Sequence, residues 1–143
     1  MSQENVEVVR AYYSLLDRWL QDYWRNPGPL EEAAGVDRVL EQLDPDAEWD
    51  WRFSSRTFRG RDEIMAGATD LIEAVDDWRI RVEELVDGTN GRVLVVFQGI
   101  IRGRASGVPI EQRTFSAVTV RDGRIVRIED HDDRESGLKA IGL

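Results

Sequence analysis

Two hydrophobic rhythms divide the chain. From Ser2 onward, Val6, Val9, Tyr13, Leu16, Leu20 and Tyr23 recur at spacings of three or four, the repeat of one face of a helix. A second stripe of Val8, Tyr12, Leu15 and Trp19 runs beside it, so this helix is covered on more than one side. Ser2 can cap its start, and Glu4 sits where the helix dipole favours an acid. Asn26-Pro27-Gly28-Pro29 ends it, because proline cannot continue a helix and disfavours helical geometry in the residue before it. Leu30 to Leu43 predicts a second helical region, with Val36, Val39, Leu40 and Leu43 on one side and Gly35 as a possible break. A third helix, about Asp62 to Val75, carries Ile64, Ala68, Leu71 and Val75 as its stripe.

Elsewhere the period drops to two, the signature of a half-buried strand. Ala47, Trp49, Trp51 and Phe53 alternate with Glu48, Asp50 and Arg52. Trp78, Ile80 and Val82 alternate with Arg79, Arg81 and Glu83 before Asp87-Gly88-Thr89-Asn90-Gly91 turns the chain. Arg92 to Asp130 then reads as three strands, Arg92 to Arg102, Ile110 to Val120 and Ile125 to Asp130, joined at Ser106-Gly107 and Asp122-Gly123. Asp-Gly between β-rich runs is a strong hairpin signal, since glycine supplies the positive φ the turn needs. The order is helix, helix, strand, helix, four strands and a short tail. It predicts an α+β domain with three helices packed over the concave face of a curved antiparallel or mixed sheet. Tyr12, Tyr13, Trp19, Trp49, Trp51 and Phe115 suit a cavity between the two layers.

Composition narrows the functional classes. The 143 residues are expected to form a single domain, 41% hydrophobic and 33% charged, the mixture of an ordinary soluble protein. The net charge of −9 argues against nucleic acid and against an anionic membrane surface, both of which need clustered Lys and Arg. There is no cysteine, which excludes disulfides and thiolate chemistry. The longest apolar run, Val93 to Phe97, is far short of the roughly 20 residues that span a bilayer. The polar start Met-Ser-Gln-Glu-Asn is unlike a secretory leader, so a cytoplasmic protein is expected.

Several segments, taken in order, resemble one family. They are Ala47-Glu48-Trp49-Asp50-Trp51, Phe58-Arg59-Gly60-Arg61-Asp62-Glu63-Ile64, Arg102-Gly103-Arg104-Ala105-Ser106-Gly107-Val108-Pro109, Asp122-Gly123-Arg124-Ile125-Val126, and the tail Asp133 to Leu143. Together they resemble the SnoaL-like branch of the nuclear transport factor 2-like superfamily over nearly the whole chain. The resemblance implies a conical α+β half-barrel with a ligand-binding cavity, and a homodimer through the sheet's outer face. The Trp19 to Gly35 region is longer than the family's usual link between its first two helices. Isomerases, hydrolases, cyclases, dehydratases and simple binders share this fold, so polar residues facing the cavity must decide the function.

Asp130 is the first candidate. Val126, Ile128 and Asp130 share a strand face, so inward-pointing Val126 and Ile128 would carry the carboxylate inward with them; the other reading makes Asp130 the start of a solvated acidic tail. The resemblance implies that this position carries the acid/base aspartate. Arg113 is the second candidate, sharing a face with Phe115 and Ala117. If buried it needs an anionic partner, and Asp130 is the natural one; the other reading is an exposed arginine paired across the sheet. The hydrolases of the superfamily carry Arg-x-Asp where this chain has Arg113-Thr114-Phe115, so their second carboxylate is absent. Ketosteroid isomerases place their base where this chain has Trp51. Of their groups only a helix tyrosine survives, and Tyr12 and Tyr13 point about 100° apart. Tyr13 is the expected catalytic partner. Tyr12, Trp19, Trp49, Trp51, Phe97, Phe115 and Ile128 are the expected ligand contacts.

His131 lies among Asp130, Asp132 and Asp133, but successive strand residues face opposite ways, so no metal site is expected. No cofactor motif is present either. The expected function is binding of a small hydrophobic, oxygenated molecule. Cofactor-free isomerisation, cyclisation or dehydration would rest on Asp130, with Arg113 and Tyr13 orienting. The alternatives are a non-catalytic carrier or sensor, and a dimeric interaction module whose cavity is filled by its own side chains.

Overall fold

Long apolar stripes on α segments and period-two strands assemble into two layers in the computed structural model, which describes residues 2–29, 32, 35–51, 55–104 and 106–143. The elements are α1 (Ser2–Arg25), α2 (Val36–Glu41), β1 (Leu43–Trp51), β2 (Arg56–Arg59), α3 (Gly60–Glu73), β3 (Val75–Asp87), β4 (Arg92–Gly103), β5 (Pro109–Arg121), β6 (Arg124–His131) and α4 (Arg134–Ala140). The strands form one six-stranded sheet in the order β2-β1-β6-β5-β4-β3. β1 runs parallel to β6, and every other pairing is antiparallel. The α+β class and the mixed sheet are as expected.

The turns follow the residues that permit them. Asp122 and Gly123 both have positive φ, 53° and 78°, the two-residue connection that suits the twist of a hairpin. Asn90 and Gly91 repeat the pattern at the β3–β4 turn, at 55° and 74°. The sheet is bent by register shifts between Val82 and Glu84 on β3 and between Thr119 and Val120 at the β5–β6 pairing. Such irregularities increase local twist and curve a strand.

The concave side holds the larger core. Val9, Tyr12, Tyr13, Trp19 and Leu20 of α1, Val36 and Val39 of α2, and Ile64, Ala68 and Ile72 of α3 pack on Val93, Val95, Val118, Val120, Ile125 and Ile128 of the sheet. Both expected stripes of α1 are therefore used. Asp17 ties this helix to the sheet edge. Its carboxylate accepts hydrogen bonds from Arg79 Nε at 3.1 Å, from the Ile80 backbone N–H at 3.0 Å and from Gln21 at 2.8 Å.

Three details differ from the sequence reading. The second helical region condenses to α2, after Gly35 with φ of 88°; Leu30 of that region and Arg52 and Phe53 of the expected first strand lie outside the described residues. The short strand β2 pairs with β1. The tail is a helix rather than a simple end. α4 is capped by the Asp133 carboxylate, which accepts from the Ser136 N–H at 2.8 Å. It lies on the convex face, where Leu94, Val96, Ala117 and Ile141 form a second small core with Phe115 and Leu138 packed against it.

Candidate functional site

Strand parity builds the site. On β5 the even-numbered residues Gln112, Thr114 and Ser116 face the concave side, while Arg113, Phe115 and Ala117 face outward. The β5–β6 register sets Ser116 directly opposite Asp130 and Val118 opposite Ile128. The β1–β6 register sets Trp49 beside Ile128. Three strands thus bring Trp49, Ser116 and Asp130 together.

Trp49 and Asp130 line a cavity of about 360 Å³ between the sheet and α1, α2 and α3, with Ser116 bonded to Asp130 behind its wall. That volume is within the roughly 300–1,000 Å³ usual for small-molecule pockets. Its wall is mostly apolar and aromatic. Trp49 and Trp51 stack with ring centroids 5.3 Å apart and planes 22° apart, and Phe58 lies 5.3 Å from Trp49 behind them. Tyr12 and Tyr13 meet edge to face at 5.1 Å, and Tyr13 lies 5.4 Å from Phe97. Trp19 also lines the wall, with its indole N–H buried and without a partner among the described residues.

Asp130 supplies the only formal charge among the described lining residues. Trp49 Nε1 donates to its Oδ2 at 3.3 Å, and Ser116 Oγ donates to its Oδ1 at 2.7 Å. Ser116 is wholly buried, so this second bond is shielded from water. Ser116 also lies beside the Tyr13 hydroxyl. Burial first, and then the nearby Asp130 charge, push the Tyr12 hydroxyl well above the usual tyrosine range. Tyr13 is raised too, by burial, by Tyr12 and by Asp130, with only Ser116 acting in the other direction. Both phenols therefore stay protonated and act as hydrogen-bond donors.

The sequence reading is met unevenly. Asp130, Tyr12, Tyr13, Trp19, Trp49, Trp51, Phe97 and Ile128 all line the cavity. Arg113 does not. It is exposed on the outer face and paired with Glu83, Nε to Oε1 2.8 Å, so the arginine does not pair with Asp130. Phe115 is on that outer face as well, under α4, and contributes nothing to the cavity. Both misplacements share one cause, the inverted parity of β5. Val126 also differs. The register shift between Thr119 and Val120 puts Ile125 into the concave core, whereas Val126 lines an outer cleft. Asp130 faces inward with Ile128 alone as its neighbour in phase.

Ser116, Gln112 and Thr114 were missed. The signal was available: the odd positions of β5 carry Glu111, Arg113 and Arg121, whereas its even positions from Ile110 to Val120 are uncharged. Charge marks the solvent face more reliably than one phenylalanine marks the core.

Comparison with known proteins agrees with this architecture. The SnoaL-like domain model matches residues 21–128. No functionally curated protein matches the sequence. Among solved structures, an NTF2-like protein of unknown function from Burkholderia pseudomallei is 20% identical, with 98% of each chain covered and a TM-score of 0.71. TerC, co-crystallised with polyporic acid, is 19% identical, with 98% of this chain and 99% of that one covered and a TM-score of 0.69. A protein from Jannaschia sp. CCS1, described provisionally as a SnoaL-like polyketide cyclase, is 17% identical, with 99% and 94% covered and a TM-score of 0.67. At these identities the structural neighbours establish the fold alone. With a family model matching most of its length, the chain belongs to the SnoaL-like family.

Proposed function

We propose that this protein binds a small, neutral, hydrophobic molecule bearing oxygen and moves a proton on it without a cofactor, with Asp130 as the acid/base. One observation carries the reading. A carboxylate held by a tryptophan N–H and a buried serine hydroxyl is the only charged group among the described residues lining a mostly apolar, aromatic cavity. Asp130 takes a proton from a carbon next to a ligand carbonyl and returns it at a second carbon, which gives isomerisation, or cyclisation or dehydration where the ligand allows. Tyr12 and Tyr13, kept protonated by burial, donate to the ligand oxygen as negative charge develops on it, the role of an oxyanion donor. Trp49 and Trp51 offer a flat wall to a planar ligand. One structural neighbour was co-crystallised with polyporic acid and another is described provisionally as a polyketide cyclase, which supports a hydrophobic, oxygen-bearing ligand.

Solvent exchange tests the reading. A bicyclic ketone such as 2-tetralone is incubated with protein in D₂O, and loss of its α-proton signal is followed by NMR. The wild type should accelerate exchange, and Asp130→Asn should cut that acceleration by about 10²–10⁴-fold, the usual contribution of a positioned acid/base. Equal rates for the two proteins would remove Asp130 from its role. Binding without any acceleration would favour the second reading, a carrier or sensor, which the scarcity of charged groups in the wall also supports.

A further inference from the structure

The concave face of β5 carries polar groups beyond the one that meets Asp130. Thr114 is only 4% exposed and Gln112 is half-buried, and both line the cavity. Among the described residues neither side chain has a hydrogen-bond partner, which separates them from Ser116, committed to Asp130. Buried polar groups are ordinarily bonded, so their hydrogen-bonding capacity is directed at the cavity contents.

Across the sheet from them lies a gap. The β4–β5 register sets Phe97 opposite Thr114 and Gly99 opposite Gln112. Gly99 lies between Phe97 and Ile101 on the cavity wall without a side chain. Neither backbone conformation nor crowding explains this glycine. Its φ lies outside the left-handed range, and an added Cβ would meet only the Gln112 carbonyl oxygen, at 3.7 Å, an ordinary contact. Glycine inside a strand weakens it and often marks a place where something approaches the backbone closely.

We propose that Gly99, Gln112 and Thr114 form a second, ligand-reading subsite that accepts an uncharged oxygen substituent at the end of the ligand remote from Asp130. Residues two apart on a strand are about 7 Å apart. Thr114 therefore stands one such step, and Gln112 two steps, from the Ser116–Asp130 pair. That separation suits a rigid frame of two or three fused rings with oxygen at both ends. The subsite takes a hydroxyl or a carbonyl, since threonine and glutamine each donate and accept. It disfavours a carboxylate, because no cationic side chain is among the described lining residues. Gly99 leaves room for the substituent and its ring edge.

This subsite rests on the ligand-binding reading above, and calorimetric titration separates the two. The probes are 2-naphthol, with one hydroxyl, and 2,6-dihydroxynaphthalene, with one at each end. The wild type should bind the diol about 2- to 10-fold more tightly, the contribution of one net hydrogen bond. In Thr114→Val, an isosteric change suited to a strand, and in Gln112→Leu, at a less buried position, the ratio should fall towards one. Gly99→Val should weaken the diol more than 2-naphthol by filling the gap. A wild-type ratio of one, or an undiminished ratio in all three folded variants, would overturn the subsite while leaving the cavity as a binding site. Failure of both probes to bind the wild type would overturn the ligand-binding reading, and the subsite with it.

Discussion

The two faces of the sheet are built from the same strands yet do opposite things. The cavity on the concave face is mostly apolar, and among its described lining residues only Asp130 is charged. The convex face is a mesh of charge: Arg127 reaches Glu48, Asp50 and Glu129, Arg113 pairs with Glu83, and Arg134 pairs with Glu84. Exposed pairs of this kind contribute little to stability because water and salt screen them. On the concave face the Asp130 carboxylate accepts instead from Trp49 and from the wholly buried Ser116, and the second of these bonds is shielded from water. The contrast shows where a charge stands out on this fold: outside it is one of many and screened by water, whereas Asp130 is the only formal charge among the described residues that line the cavity.

The convex face is not uniformly wet, and the largest expected effect tests that exception. Leu94 is wholly buried beneath α4, and helix and sheet approach so closely that a Cβ on Gly137 would lie 2.7 Å from Leu94 Cδ1. Leu94→Ala should therefore destabilise the protein by about 2–5 kcal/mol, as for a core leucine. Urea unfolding measures it. A loss well under 1 kcal/mol would mean that α4 does not seal this side and that the convex face is wet throughout.

The next effect concerns the link between the helical layer and the sheet edge. Burial tends to raise the Asp17 carboxyl, but hydrogen bonds from Arg79, the Ile80 N–H and Gln21 outweigh it and hold it below the ordinary carboxylate value. Asp17→Asn should cost about 1–3 kcal/mol at neutral pH, the range for hydrogen bonds to a charged group. A carboxyl depressed in the folded state contributes stability above its unfolded value of about 3.9 and loses it as pH falls through the lower folded value. The gap between wild type and variant should accordingly close below about pH 4 in urea titrations. A gap of the same size at pH 3 and pH 7 would show that shape, not charge, anchors α1.

Sequence pattern delivered the layers because apolar residues at helical and strand periods dominate both. α1, β3, β4 and β6 follow from their stripes and from Asp-Gly and Asn-Gly turns. It delivered most of the cavity wall for the same reason, since Trp49, Trp51 and Phe97 have no other place to go. The face of β5 was harder. Phe115 and Ala117 read as core, and they are core, but of the small cluster under α4 rather than of the cavity. Seeing that required recognising α4 first, from Asp133 as an N-cap with Ser136 three residues on and Gly142 past the end, at φ of 88°. Asp17 was hidden because an acid between apolar stripes looks like the edge of a solvated face, and only the fold brings Arg79 to it. Ser116 was hidden because its role exists only through the register that sets it opposite Asp130.

The smallest expected effect bears most directly on that parity. A one-residue slip of β5 would exchange its two faces completely, carrying Arg113 into the cavity and Ser116 out of it. Arg113 is more than half exposed and its partner Glu83 lies on the same outer surface, so Arg113→Ala should leave the unfolding midpoint and 2-tetralone exchange nearly unchanged. Ser116→Ala should instead slow exchange, because it removes the buried donor to Asp130 while leaving the carboxylate itself in place. The two variants measured side by side in D₂O decide the matter. Slower exchange in Arg113→Ala with none in Ser116→Ala would place the arginine next to the acting carboxylate, and the contrast between the faces would have to be redrawn with β5 reversed. The expected order, Ser116 sensitive and Arg113 indifferent, follows from even positions facing Tyr13 and Asp130 while odd positions face water or α4.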